Sequence, residues 1–498
     1  MNVNPITRLD YPDPDVIRVE DTYYMVSTTM HFMPGCEILQ SFDLVHWEHV
    51  TYVYETLDHT DAQQLKSGQN IYGQGMWAAS LRYHEGRFYI CFVANDTRKT
   101  YLYTSEKIDG PWKKQLIEGF YHDGSLLFDE DGRNYIVYGN DEIWITELNE
   151  DLTAPKKGGL HRLLVSDHKN PELGYEGSHI QKINGYYYIF LVHSLRDRWM
   201  RTEACFYSDS LEGEFTGGDV LCDDRGYCGQ GVAQGGIVDT PDGKWYAMLF
   251  QDSGAVGRIP ILLPVTWKDH FPVFGQNGHV PEEIEVHSTR PGYIYQPLVG
   301  SDDFCNGLLP RWQFNHDPDP RYYHLDALQG TYTITTREVC TELTQAVNTL
   351  TQRMSYPSCA AEVTVDASAL KEGDVAGLCA LQSCYAAVGI TKHHGKYEVL
   401  MLDKKEDGIL DMTEGTVVES HQMDFRLEAD FCNMKDEARC YYRVNKGDWL
   451  PIGTVHKLYF KLDHFTGCRF GLFCYAAEET GGSACFRDFK YYDVDEIS

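Results

Sequence analysis

The sequence has no long apolar run and few basic residues. No stretch approaches the roughly 20 apolar residues that a membrane-spanning helix needs, so no membrane role is expected. Lysine and arginine number 43 against 74 acidic residues, which gives a net charge of −31. A surface this acidic repels phosphate backbones and anionic lipids, so nucleic-acid binding is not expected either. Residues 1–5 lack the basic and apolar regions of a signal peptide, which favours a cytoplasmic location.

The sequence also lacks a cysteine framework and helical periodicity. Its 15 cysteines are odd in number and scattered, which is typical of reduced, buried thiols rather than of disulfides or zinc sites. No segment of helix length shows a convincing apolar period, whereas aromatic residues make up 13 % of the chain and suit strands. The chain is therefore expected to be all-β. Its 498 residues exceed one ordinary core, which predicts two domains.

Five segments of the first half share one pattern, a turn that leads into an aromatic strand. Asp-Gly and Asn-Gly between apolar runs are strong hairpin signals. Each interval between copies is long enough for one four-stranded sheet with its loops, so five copies predict a five-bladed β-propeller. The five segments are residues 20–24, 85–89, 131–135, 184–188 and 242–246.

One position of this repeat is rich in acids. The residue twelve positions before the last Tyr of each segment, or eleven in the first, is one of Asp13, Trp77, Asp123, Glu176 and Gln234. First strands line the channel of a propeller, so these five side chains are expected to ring one of its mouths. Facing carboxyl groups suit glycosidic bond cleavage, in which one protonates the leaving oxygen and another activates water or attacks the anomeric carbon. A single acid there could merely cap a loop, but three at one position favour catalysis.

Four motifs resemble those of glycoside hydrolase family 43 in order and spacing. The closest resemblance is to β-xylosidases and α-L-arabinofuranosidases of that family that carry a C-terminal β-sandwich, and it covers nearly the whole chain. It implies an inverting mechanism. The motifs are residues 10–19 (DYPDPDVIRV), 75–78 (GMWA), 122–126 (HDGSL) and 175–179 (YEGSH).

The resemblance implies a role for each acid of the ring. Asp13 matches the general base, and its neighbour Asp15 is a weaker candidate. Glu176 matches the general acid, and Asp123 the residue that orients this acid and modulates its pKa. The residues expected to bind or shape the substrate pocket are Trp77, Arg258, Phe32, Met33, His122, Gln234 and Phe465.

No metal or other cofactor is expected to be required. Some members of the family hold a cation on the propeller axis with a histidine, where this chain has Gln234. An amide is a poorer ligand, so an axial calcium ion is left open but not favoured.

The second half of the chain has a different sequence pattern. After the fifth repeat, a proline-rich connection leads to short alternating strands, which predict a jelly-roll-like β-sandwich. Examples are residues 332–335, 361–365 and 458–462. We predict a catalytic propeller over residues 1–298 and, over residues 299–498, a sandwich that closes the active site.

These observations favour an exo-glycosidase that releases xylose from the non-reducing end of short β-1,4-xylo-oligosaccharides. An α-L-arabinofuranosidase, or an enzyme with both activities, stays open because the two sugars present similar hydroxyls. A non-catalytic sugar-binding propeller is a remote alternative, and a fructan-cleaving propeller is disfavoured by its different acid motifs. The expected partners are small xylo- or arabinoxylo-oligosaccharides, and a homo-oligomer is compatible with the sequence.

Overall fold

A computed structural model describes residues 2–493. Within that range the secondary structure consists of strands and four short 3-10 turns, with no α-helix and no helix long and apolar enough to cross a membrane. Five four-stranded sheets are followed by two larger ones. The all-β class and the five-bladed propeller followed by a β-sandwich are confirmed.

Each propeller blade is one antiparallel sheet whose strands follow chain order. Blade one is β2-β3-β5-β6, and blades two to five are β7 to β10, β11 to β14, β15 to β18 and β19 to β22. In chain order these strands and their neighbours are β1 (Asn2–Val3), β2 (Asp15–Val19), β3 (Thr22–Ser27), β4 (Phe32–Met33), β5 (Gly35–Ser41), β6 (Glu48–Tyr54), β7 (Met76–His84), β8 (Arg87–Ala94), β9 (Lys99–Ser105), β10 (Lys113–Ile117), β11 (Ser125–Phe128), β12 (Asn134–Asn140), β13 (Glu142–Leu148), β14 (His161–Ser166), β15 (Glu176–Ile183), β16 (Tyr186–Ser194), β17 (Arg201–Ser208), β18 (Thr216–Leu221), β19 (Val232–Asp239), β20 (Trp245–Asp252), β21 (Arg258–Lys268), β22 (Phe271–Phe274) and β23 (Glu283–Ile284), with 3-10 turns at Lys66–Gly68 and Gly254–Val256.

The first strands of the blades contact one another in a closed ring around the axis. Adjacent blades pack face to face on separate apolar clusters, for example around Ile38 and Leu81 between blades one and two. The alternation of buried and polar positions in short strands produces this stacking, because one strand face must be buried against the next sheet. The ring arrangement brings the starts of five first strands to one mouth.

Two kinds of turn link the first and second strands. Residues 85–86 and 184–185 both have positive φ at each central position, as a two-residue type I′ turn requires. At residues 131–132 and 242–243 only the glycine has positive φ. Its N–H donates to the carbonyl oxygen three residues earlier, in Asp129 or Thr240, which closes a longer loop. The Xaa-Gly signal therefore locates all four hairpins but specifies the tight turn in only two of them.

The second half forms a two-sheet sandwich around one large apolar cluster. One sheet has the strand order β32-β31-β30-β29-β37-β27-β24-β4, with β33 beside β31, and the other has the order β25-β26-β38-β28-β34-β35-β36. The strands are β24 (Gln313–Asn315), β25 (Tyr323–Asp326), β26 (Thr331–Thr335), β27 (Leu350–Arg353), β28 (Ser358–Asp366), β29 (Asp374–Leu381), β30 (Ala386–His393), β31 (Lys396–Lys404), β32 (Leu410–Met412), β33 (Thr416–Val418), β34 (Gln422–Asp430), β35 (Glu437–Val444), β36 (Leu450–Lys457), β37 (Arg469–Ala476) and β38 (Ser483–Asp493), with 3-10 turns at Leu343–Gln345 and Cys432–Met434.

Two details correct or refine the sequence analysis. The strand predicted at residues 458–462 is wrong, because β36 ends at Lys457 and a loop follows. In that loop Leu458 is buried in the sandwich core, whereas Phe460, Lys461 and Leu462 line the pocket at the mouth of the propeller. The strand β4 of the propeller half pairs with β24 and so joins the sandwich sheet, which ties the two halves together. The predicted boundary between residues 298 and 299 lies in the connection between β23 and β24.

Candidate active site

A pocket of about 720 Å³ lies at the propeller mouth where the first strands begin. The structure brings all five positions of the repeat together in its lining: Asp13, Trp77, Asp123, Glu176 and Gln234.

The backbone is kinked at these positions. Asp13, Asp123 and Gln234 have φ values of 52°, 47° and 65°, in a region that residues other than glycine rarely adopt. In blades two, four and five the β-ladder shifts register next to Trp77, Glu176 and Gln234. Bulges and unusual backbone angles re-aim side chains and cluster at active sites. A backbone distortion of one kind or the other therefore recurs at all five positions of the repeat.

Asp13 is held by two donors in a nearly buried setting. Thr28 Oγ1 donates to its Oδ2 at 2.6 Å. Arg258 Nη1 donates to its Oδ1 at 2.8 Å, and the two side chains of this ion pair are only 7 % and 3 % exposed. The carboxylate is thereby fixed in orientation at the pocket wall.

Glu176 receives its contacts on one oxygen. Asn140 Nδ2 donates to Oε2 at 2.7 Å, and His122 Nε2 lies 3.4 Å from the same atom. Oε1 has no hydrogen bond to any residue in the range 2–493, so it is the oxygen available to a ligand.

The residues next to Glu176 have shifted pKa values. Burial raises the pKa of Asp123 to about 6, with Glu176 and Asp13 adding to the shift against the opposing effect of His122. Burial alone lowers the pKa of His122, but Asp123, Glu176 and Asp13 outweigh it and raise the pKa to about 9. Asp123 Oδ2 also accepts the N–H of Gly177 at 3.0 Å, which ties it to the strand start of Glu176. Among the described residues, His122, Asp123 and Glu176 are the one group with ligand atoms near enough to hold a metal ion, all within 4.8 Å.

Trp77, Phe465 and Arg258 form one wall of the pocket, beside the acidic residues. The rings of Trp77 and Phe465 lie 5.6 Å apart, and the Arg258 guanidinium lies 4.4 Å from the Phe465 ring. Arg258 Nε and Nη2 and Trp77 Nε1 are buried without a hydrogen-bond partner in the described chain. Phe465 comes from the sandwich, which also contributes Met434, Phe460, Lys461 and Leu462 to the lining.

Phe32 and Met33, which we expected to shape the pocket, lie elsewhere. Both are fully buried in β4, which pairs with β24 at the junction of the two halves. The Phe32 ring packs under the Arg469 guanidinium at 3.5 Å. Proximity in sequence to the motif of Asp13 was misleading, because β4 pairs with the sandwich strand β24 rather than with a strand of the propeller.

The sequence analysis missed pocket residues at the ends of second strands. Asn140 and Asp252 end β12 and β20, and Asn95 follows β8. Second strands run antiparallel to first strands, so their ends return to the same mouth. Counting forward five or six residues from the last Tyr of each repeat would have found them. Arg201, which binds Asp252 Oδ2 through Nε at 2.9 Å, and the exposed Trp199 carry no comparable signal.

An axial calcium ion does not fit this propeller. Below the ring, the oxygens of Asp15 and the carbonyl oxygens of Leu126 and Ile180 already accept hydrogen bonds from protein donors. Calcium needs six to eight oxygen ligands, as a rule. Gln234 lines the pocket above and adds one amide.

Comparisons with known proteins agree with this geometry. Residues 3–272 match the family described as glycosyl hydrolases family 43. The chain belongs to that family. Residues 301–492 match the beta xylosidase C-terminal concanavalin A-like domain. As a family 43 member, the protein is a glycoside hydrolase.

Relatives and solved structures are similar over nearly the full chain. A beta-xylosidase of Formosa agariphila is 26 % identical, with 99 % of this chain and 89 % of the relative covered. A non-reducing end alpha-L-arabinofuranosidase of Bacteroides ovatus is 24 % identical, with 82 % and 79 % covered. The structure of a bifunctional GH43-CE protein of Bacteroides eggerthii is 42 % identical with a TM-score of 0.92, and covers 100 % of this chain. This chain spans 64 % of the length of that protein.

Proposed function

We propose that this protein is an inverting exo-glycosidase that releases xylose from the non-reducing end of short β-1,4-xylo-oligosaccharides. The observation that carries the proposal is one pocket with Asp13 and Glu176 on different blades, beside a wall of Trp77, Arg258 and Phe465. An acid and a base on separate walls suit a substrate bound between them.

In the proposed reaction, Asp13 takes a proton from a water molecule as the water oxygen attacks the anomeric carbon. The bond from that carbon to the leaving oxygen breaks, and Glu176 gives its proton to that oxygen. Asp123, held to Gly177 N–H, keeps the strand start of Glu176 in place. Configuration inverts because water enters opposite the leaving group.

We propose exo action because the sandwich contributes to the lining of the pocket. Its residues Phe460, Leu462 and Phe465 line the pocket, so the mouth of the propeller is bounded on one side by a second domain. A pocket bounded in this way suits a chain end rather than the middle of a polymer. The unpartnered donors of Arg258 are suited to sugar hydroxyls, which would supply the acceptors they lack.

An α-L-arabinofuranosidase is the second candidate. Relatives named as a beta-xylosidase and as an alpha-L-arabinofuranosidase are similar to the chain at 26 % and 24 % identity, which does not separate the two sugars.

The test is a pair of assays on the full chain. We expect kcat/KM for an aryl β-D-xyloside to exceed that for an aryl α-L-arabinofuranoside, and hydrolysis of the aryl β-D-xyloside, whose only sugar product is the glycon, to yield α-xylose first when followed by NMR. A β-anomer would contradict the inverting mechanism. A higher kcat/KM for the arabinofuranoside would establish the second candidate.

A further inference from the structure

A cationic side chain, Arg82 of β7, crosses the centre of the propeller below the pocket. Its Nη1 donates to Asp15 Oδ2 at 2.8 Å in blade one, and its Nε to the Leu126 carbonyl at 2.8 Å in blade three. Its Nη2 donates to Ser125 Oγ at 2.7 Å and to the Ile180 carbonyl at 3.2 Å in blade four. The fifth N–H donates to a carbonyl of its own strand. All five guanidinium donors are therefore used.

Asp15 adds two further contacts to this arrangement. Its Oδ2 also accepts the N–H of Leu81, and its Oδ1 lies 3.1 Å from Nδ1 of His179 in blade four. Burial raises the pKa of Asp15, but Arg82 and His179 outweigh it, and the net pKa is lowered. Blade five passes close to His179 at Gly236, where a side chain would have little room, because a Cβ would lie 3.3 Å from His179 Nδ1. Residues of blades one to four therefore bond directly to one buried ion pair.

The ion pair between Arg82 and Asp15 lies directly below the ring formed by Asp13, Asp123 and Glu176. Asp15 follows Asp13 by two residues, and Ser125 follows Asp123 by two. Ser125 Oγ additionally accepts the N–H of Ile180 at 3.0 Å, in the strand that begins with Glu176. A shift of the guanidinium would therefore move the starts of three strands that carry the acids.

We infer that Arg82 is a positioning residue whose guanidinium serves as the axial cation of this propeller and fixes the separation of the three acids without a metal ion. The inference rests on the roles proposed above for Asp13, Asp123 and Glu176. A guanidinium suits this place because its planar fork satisfies several fixed oxygens at once, which a single point charge cannot do with the same directions.

The decisive variant is Arg82→Met in the full chain, assayed on xylobiose and an aryl xyloside well below its melting temperature. A displacement of about 1 Å at reacting groups costs on the order of 100-fold in rate. We expect kcat to fall by about that factor while KM changes little, because the sugar-binding wall of Trp77 and Phe465 is untouched. The matched control is Arg18→Met, which removes an ion pair between β2 and Asp239 at the opposite mouth and should lower only thermal stability.

If Arg82→Met does not fold, Ser125→Ala removes one acceptor of the guanidinium and of the Ile180 N–H, and should lower the melting temperature as well as lower kcat by about tenfold well below that temperature. Wild-type kcat in either folded variant would overturn the inference. So would loss of wild-type activity in EDTA that calcium restores, whereas activity unchanged by EDTA supports it. Failure of the proposed function would look different, because Asp13→Ala and Glu176→Ala would then keep activity.

Discussion

Asp10 and Gly467 join the two domains at the edge of the pocket. Oδ2 of Asp10 accepts the backbone N–H of Gly467 at 2.8 Å, and its Oδ1 accepts the backbone N–H of Arg258 at 2.7 Å. Asp10 stands three residues before Asp13, and Gly467 two residues after Phe465. One buried carboxylate thus fixes the backbone near three side chains of the pocket.

The first prediction concerns Asp10→Ala, which leaves two buried N–H groups without an acceptor. Hydrogen bonds to charged groups contribute about 1.5–3 kcal/mol each. We expect KM to rise by about tenfold or more and the melting temperature to fall, with a milder effect for Asp10→Asn, which keeps one acceptor. Kinetics on an aryl xyloside measure this, with Asp21→Ala at an exposed ion pair as control. A wild-type KM for Asp10→Ala would show that the link does not shape the pocket.

A second prediction separates the acid from the base. Glu176→Ala should lose far more activity on xylobiose than on an aryl xyloside with a good leaving group, because protonation matters most when the leaving group is poor. Asp13→Ala should abolish turnover of both, because no base activates the water. Equal losses in Glu176→Ala would argue against its role, and substantial xylobiose hydrolysis by Asp13→Ala would remove it as the base.

The repeat pattern predicted the part of the site that local rules determine. Fixed offsets from a hairpin locate Asp13, Asp123 and Glu176 because every blade repeats the same strand and turn geometry. A count of five residues forward from the last Tyr of the third segment would have located Asn140. In contrast, Phe32 was misplaced because its surroundings depend on β4 pairing with the sandwich, a contact between distant parts of the chain.

Long-range contacts explain what the sequence could not show. The loop after β36 looked like a strand because apolar residues alternate there, but Phe460 and Leu462 of this loop line the pocket together with residues of the other domain. The role of Arg82 depends on the carbonyl oxygens of Leu126 and Ile180. Every residue has a backbone carbonyl, so the sequence does not indicate which of them Arg82 contacts. The sequence predicted the fold class and the acids, whereas the contacts that support the acids required the structure.

The third prediction concerns pH and His122. Its pKa is raised from 6.5 to about 9 in the folded protein, chiefly by Asp123 once burial is overcome. Protonation therefore favours the folded state, and this contribution is complete below pH 6.5 and is lost as pH rises through 9. The melting-temperature difference between the wild type and His122→Gln should shrink over that range. Exposed His287→Gln is the control, and a difference that stays constant or grows with pH would contradict the assignment.

The last prediction concerns the sandwich loop that carries Phe465. The ring contacts Trp77 and the Arg258 guanidinium, both of which line the pocket. Phe465→Ala should therefore raise KM by about tenfold, because the wall that a sugar would contact loses a large apolar surface. Its effect on melting temperature should be smaller than that of Phe473→Ala, a fully buried sandwich residue outside the pocket, where such truncations cost about 3–5 kcal/mol.

Phe473→Ala should in turn leave KM close to the wild-type value. A propeller cut after residue 300 provides the second arm, because it exposes the face that docks on the sandwich and opens the pocket. We expect that fragment to be unstable or nearly inactive on xylobiose. If it were soluble and fully active, or if Phe465→Ala lowered stability without changing KM, the sandwich would not close the pocket, and a role in oligomerisation or binding would explain it better.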